Sequence, residues 1–210
     1  MKFLVLGATG DTGALFVKKA LDEGHEVTAL VRRADAVVDS RAQIVGGDVT
    51  NAAMIATASR GHDAIISTLG AKNIRQTPTL MTDTVRAVIS STKASGVDRF
   101  VMVSAFGVGD SLARASFLGG LIFRTALRTK YADKAAADAL VMTSNLQWTL
   151  EYPGALNNRD STRYTATALE DVTKLPIIPS TSRANVAAFL LDSAVDGSFI
   201  RQIVVVTDTK

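Results

Sequence analysis

The chain has 210 residues, 47% hydrophobic and 20% charged, with no repetitive or long polar tract, so it is expected to fold as one ordinary globular domain over residues 1–210. It contains no cysteine, which excludes disulfide frameworks, thiol nucleophiles and thiolate metal sites, and with only His25 and His62 as histidines no metal site is expected. The net charge of +3 comes from scattered basic residues whose densest pairs are Lys18-Lys19 and Arg32-Arg33, a pattern that suits a phosphate-bearing small ligand and gives no reason to expect nucleic acid. The longest apolar stretch, 115–123, falls short of the ~20 residues that a membrane-crossing helix needs. The first apolar run ends in a glycine turn and reads as a strand rather than a leader, so a cytoplasmic protein without a membrane partner is expected.

In chain order, a strand over Lys2–Leu6 leads through glycines into a helix over 13–23, which Gly24 stops. A strand over 27–31 follows, then one over 42–45, a helix over Ala52–Ser59 and a strand over Ala64–Ser67. A helix over Leu80–Ser95 ends at Gly96, a strand over 100–104 comes next, and a long helical pattern covers 117–142. Strands over 146–150 and 202–206 flank a stretch at 157–182 that reads as an irregular insertion roofing the site, followed by a helix over 183–192. The apolar runs are continuous rather than alternating, as in strands covered on both faces. The expected fold is α/β, a doubly wound (Rossmann) and mostly parallel sheet of about seven strands with helices on both faces. Trp148 is expected in the core, the histidines in surface loops, and the amphipathic stretch 113–130 in a core-facing helix with a solvated basic face.

The run Gly7-Ala8-Thr9-Gly10-Asp11-Thr12-Gly13 stands between the first strand and the first helix, the context in which a glycine pattern binds the pyrophosphate of a dinucleotide. Gly7 makes the turn, Gly10 lets backbone approach the phosphates and Gly13 packs helix on strand, so Gly7, Thr9, Gly10, Asp11 and Thr12 are expected at the cofactor. The second strand runs into Arg32 and Arg33 with no carboxylate before Asp35, which favours the 2′-phosphate of NADP over the free ribose of NAD. Asp48, beside Val49, either lies at the adenine edge or caps the next helix. Thr68, Leu69 and Gly70 end the fourth strand where backbone would meet the cofactor ribose. Ser104 ends the fifth strand, where it either bonds substrate and nicotinamide or satisfies loop backbone.

These motifs, together with the block 144–150 and Pro153-Gly154, resemble the atypical short-chain dehydrogenase/reductase proteins, and among them the biliverdin reductase B/flavin reductase-like and NmrA-like NAD(P)H-binding members. The resemblance implies that Ser104 and Lys134 orient cofactor and substrate and that Pro153 lines the cofactor. Ordinary members use a Tyr-xxx-Lys pair. Here Lys134 and Asp138 resemble the lysine and the acidic residue after it, but position 130 is lysine and Tyr131 is one place out of register. Tyr152 stands where members commonly carry arginine, and Gly154 where flavin reductase-like members often carry histidine. The resemblance therefore implies an NADPH-dependent reductase that passes hydride to a flat conjugated small-molecule acceptor such as a flavin, quinone or tetrapyrrole. The alternative is a non-catalytic NADP(H)-binding redox sensor of the NmrA-like type.

Overall fold

Uninterrupted Val, Ile and Leu runs make strands that bury both faces, and glycines with left-handed backbone end most of the helices between them. The computed structural model describes residues 1–33, 35–36, 38–70, 77–108, 128–160, 163–172 and 179–209. In order these form β1 (Lys2–Leu6), α1 (Asp11–Asp22), β2 (Glu26–Val31), β3 (Gln43–Gly46), α2 (Ala52–Ser59), β4 (Ala64–Ser67), α3 (Leu80–Ser95) and β5 (Arg99–Val103). There follow α4 (Arg128–Met142), β6 (Gln147–Pro153), β7 (Ala155–Asn157), β8 (Tyr164–Ala168), β9 (Ser180–Ser182), α5 (Arg183–Asp196) and β10 (Gln202–Asp208). Gly24 and Gly96 adopt φ of 82° and 78° just past α1 and α3, as their positions predict.

The main sheet has eight strands in the order β3-β2-β1-β4-β5-β6-β10-β8, all parallel except β8, which runs antiparallel to β10. The doubly wound α/β expectation holds, and the order reverses direction between β1 and β4. Alternate residues of each strand feed two cores. Phe3 and Val5 pack with Phe16, Val17 and Ala20 of α1 and Val186 and Leu190 of α5. Leu4, Leu6, Ile65 and Leu150 pack on the other face with Ile55 of α2, Val85 and Val88 of α3, and Ala137 and Val141 of α4, and Trp148 is buried among them. Full burial of each such side chain contributes about 1.5–3 kcal/mol.

The eighth strand is a difference from the sequence reading, and it arises within 157–182. That stretch is not simply irregular: β8 and β9 form there, and β7 pairs with β9 as a separate two-stranded parallel sheet. The sequence of β8, YTATA, has little apolar signal, and the strand exists because β10 offers it a ladder of backbone partners. Of the expected helix over 117–142, α4 covers the later part, and residues 117–127 lie outside those described, as does most of the 113–130 stretch.

The edge of the sheet where the strands begin is structural. Arg99, buried at the start of β5, donates to Gln147 O (2.8 Å), Thr149 Oγ1 (2.9 Å), Ser193 O (2.8 Å) and Ser193 Oγ (3.0 Å), pinning β5, β6 and α5 together. Burial lowers its guanidinium to about 10. His25 and His62 lie at this edge too. His62 Nε2 bonds Thr28 Oγ1 at 2.8 Å, and the His25 ring meets Phe3 edge-on.

Glu151 of β6 is a carboxyl set in the core. It is fully buried, with Val103 and Val204 beside it on the adjacent strands, and among the described residues neither of its carboxyl oxygens has a hydrogen-bond partner. Burial pushes its carboxyl well above the usual range, because desolvation disfavours the charged form. A carboxyl raised on folding stabilises fully below its unfolded value, and that contribution is lost as pH rises through the folded value. Glu151→Gln, which cannot ionise, should therefore flatten the fall of stability on the alkaline side. Urea midpoints of the two proteins measured between about pH 5 and pH 9 should diverge as pH rises; parallel curves would show that Glu151 does not titrate in the folded state.

Candidate cofactor and active site

Because β1 to β6 are mutually parallel, the residues that follow them arrive at one edge. Gly7 follows β1, Arg32 and Arg33 follow β2, Asp48 and Val49 follow β3, Thr68 to Gly70 follow β4, Ser104 follows β5, and Pro153 closes β6. The fold thus gathers at this edge the residues singled out from the sequence, and Lys134 reaches it from α4.

The glycine turn is close-packed on its inner side and open on its outer one. Gly7 has φ of 94°, a conformation that favours glycine, and its carbonyl accepts from Gly10 N at 3.0 Å. A Cβ on Gly13 would stand 2.1 Å from the Gly7 carbonyl oxygen and 2.7 Å from Thr68 Oγ1, so only glycine lets α1 approach the crevice between β1 and β4. Thr68 closes that crevice: its hydroxyl donates to Gly7 O at 3.1 Å and its N–H to Leu6 O at 2.9 Å. A Cβ on Gly10, by contrast, would meet nothing nearer than the Gly7 oxygen at 3.4 Å.

Helix caps distinguish this turn from the starts of α2, α3 and α5. Asn51 accepts from Ala53 N and Met54 N to cap α2, and Ser182 accepts from Asn185 N to cap α5. The first turn of α3 is capped from a distance by Asp133 of α4, whose carboxylate accepts from Met81 N (2.8 Å), Thr82 N (3.0 Å) and Thr82 Oγ1 (2.6 Å). The N-cap of α1 is Gly10, which has no side chain to offer, so the first N–H groups of α1 remain available to an anion at the positive end of the helix.

Along the rest of the edge, Arg32 is exposed and makes no ion pair among the described residues, while Arg33 is only loosely paired with Asp35, 3.6 Å away, both well exposed. Asp48 accepts from Thr50 N at 2.9 Å and Thr50 Oγ1 at 2.8 Å, closing a local turn; the helix cap is Asn51, so the capping alternative for Asp48 is set aside. The Val49 side chain is buried in the core, leaving only its backbone for a ligand.

At the ends of β5 and β6 lies a buried polar cluster. Ser104 Oγ and Tyr152 OH both donate to Oδ2 of Asp138, each at 2.7 Å. The Lys134 ammonium donates to the carbonyls of Val103 (3.3 Å) and Ser104 (3.2 Å). Burial pushes the Asp138 carboxyl up, opposed by the Ser104 and Tyr152 bonds and the Lys134 charge. Burial likewise pushes the Lys134 ammonium down, opposed by Asp138 and Asp133. Tyr131 packs against the same core, half-buried, and burial raises its phenol. The sequence had marked Tyr152 as a departure from the resemblance. The structure gives the residue a task, holding the carboxylate that also holds Ser104.

The pattern characteristic of NAD(P)H-binding proteins matches residues 7–196 of the chain. The chain belongs to this NAD(P)H-binding family. The Saccharomyces cerevisiae UPF0659 protein YMR090W is 30% identical over 205 residues, spanning 92% of this chain and 86% of the yeast protein. Among solved structures, ChuY, an anaerobilin reductase from Escherichia coli O157:H7, superposes with a TM-score of 0.83 at 25% identity, covering 100% of this chain and 98% of ChuY. SP1627, a candidate NADH-flavin reductase from Streptococcus pneumoniae TIGR4, gives 0.81 at 25% identity, covering 100% of both chains. No helix among the described residues is long and apolar enough to cross a membrane.

For a member of the NAD(P)H-binding family, the uncapped start of α1 and the open side of Gly10 fit a pyrophosphate. The two glycines facing opposite ways should separate in mutants. Gly10→Val should fold with near-normal thermal stability yet lose dinucleotide binding, whereas Gly13→Ala should itself cost about 1–3 kcal/mol of stability through the clash with the Gly7 carbonyl. Retained NADPH affinity in folded Gly10→Val would show that the turn does not hold the phosphates.

Proposed function

We propose that the protein is an NADPH-dependent reductase of a flat conjugated acceptor such as a flavin, quinone or tetrapyrrole. The observation that carries this reading is the cluster at the ends of β5 and β6. Its serine and tyrosine hydroxyls are both turned onto one buried oxygen of Asp138, so neither is presented as a ready acid for an alcohol or ketone. An acceptor whose reduced form takes its proton from water needs no such acid, and positioning then supplies most of the rate. The names of two similar structures, ChuY as an anaerobilin reductase and SP1627 as a candidate NADH-flavin reductase, support the same class.

In this reading the backbone of Gly7, Thr9, Gly10, Asp11 and Thr12 holds the pyrophosphate through the first N–H groups of α1. Asp48 and the Val49 backbone border the adenine, while the backbone of Thr68, Leu69 and Gly70 meets the ribose. Arg32 forks onto the 2′-phosphate, with Arg33 beside it. Bound NADPH supplies hydride from the nicotinamide C4. Lys134, fixed to the Val103 and Ser104 carbonyls, places positive charge beside the nicotinamide ribose, and Ser104 and Pro153 shape the wall against which the acceptor lies. The same inward-turned hydroxyls also suit a protein that binds NADPH without oxidising it and reports the cofactor's redox state to a partner.

One cuvette separates the two readings. The purified protein should bind NADPH and oxidise it when a flavin, quinone or linear tetrapyrrole is added; tight binding without oxidation by any of them would favour the sensor. Arg32→Ala should weaken NADPH by about tenfold or more and leave NADH nearly unchanged, in keeping with loss of a charge-assisted pair. Equal losses for the two dinucleotides would remove Arg32 from the 2′-phosphate.

A further inference from the structure

Helices α1 and α5 cover the same face of the sheet and begin at the same edge, so their first residues, Asp11 and Arg183, face one another. Arg183 Nε lies 3.7 Å from Asp11 Oδ2, and its Nη1 donates to Asn158 Oδ1 at 2.7 Å. The Arg183 side chain is 23% exposed and that of Asp11 77%. The backbone beneath Arg183 is held firmly: Asp208 accepts from Ser182 N (2.7 Å), Asn185 Nδ2 (2.8 Å) and Asn157 Nδ2 (3.0 Å), which ties the start of α5 to the end of β7 and to β10.

By the rules of an isolated helix this arginine is misplaced. A cation at a helix N-terminus opposes the helix dipole, and α5 has no acidic residue in its first turn to offset it. Its contact with the Asp11 carboxylate is long, and that partner is mostly solvated, so the ion pair itself adds little. A residue that breaks a local rule without a local gain marks a place where function sets the choice. The neighbour that supplies a gain is the uncapped start of α1, one residue from Asp11, where the carboxylate would otherwise repel an incoming phosphate.

We propose that Arg183 is a further cofactor-binding residue, lending its positive charge to the pyrophosphate at the 7–13 turn, with Asn158 holding the guanidinium in reach. This rests on the reading of that turn as the dinucleotide site. Arg183 then serves the part of the ligand that NADPH and NADH share, while Arg32 serves the part that differs. It also joins the segment after β7 to the cofactor, so that this segment is tethered through Arg183 to the site.

The test is titration of the intact protein with NADPH and with NADH, followed by calorimetry and by nicotinamide fluorescence, in the unsubstituted protein and in Arg183→Met. Both affinities should fall by the same factor, about tenfold or more, and the dependence of binding on salt should become shallower. Arg183→Lys, which keeps the charge, should fall between the two and guards against a variant that fails to fold. Unchanged affinities in folded Arg183→Met would overturn the proposal, as would a loss confined to NADPH. Failure of the unsubstituted protein to bind either dinucleotide would overturn the dinucleotide site and Arg183 with it.

Discussion

The contact between Gly13 and the Gly7 carbonyl is the constraint on which the rest of the binding edge depends. It lets α1 begin almost directly beyond β1 and places the free N–H groups of its first turn in the crevice where the strand order reverses. A methyl group there would push the helix off the sheet and carry Gly10 with it. Thr68 shares the same contact from the other side, so the ends of β1 and β4 and the start of α1 form one unit rather than three loops.

A second unit lies at the ends of β5 and β6. Asp133 and Asp138, five residues apart on α4, reach in different directions: one caps α3, and the other collects the hydroxyls that follow β5 and end β6. Lys134 between them binds the β5 carbonyls. α4 is thereby fastened polar group by polar group to three neighbours, in surroundings where an unsatisfied group would be costly.

The fold was legible where the signal is local or strongly patterned. Strands β1, β2, β4, β5, β6 and β10 announce themselves as apolar runs, Gly24 and Gly96 mark helix ends, and the glycine turn carries its own context. β8 was not legible, because YTATA becomes a strand only through its pairing with β10, some 40 residues further on. The long-range caps were equally hidden: nothing near Met81 or Thr82 says that Asp133 will satisfy their N–H groups. The two readings of Asp48 could be separated only by seeing Asn51 take the cap. Tyr152 looked like a mere departure, since its role depends on an oxygen of Asp138 that two hydroxyls share across separate elements. Arg183 drew no attention because its meaning lies in a helix start that is distant in sequence.

The place of β10 in the sheet carries a consequence for how the molecule is made. Among the described residues β10 follows all the other strands in chain order, yet it lies between β6 and β8, and β8 pairs with β10 alone. During synthesis the first six strands can close on one another in sequence, while β8 waits for a strand not yet made. β8 can therefore take its place in the sheet only once β10 has entered beside β6. A ribosome that pauses before residue 202 would display a nearly finished Rossmann sheet with an open edge at β6, the kind of edge that invites pairing with another chain.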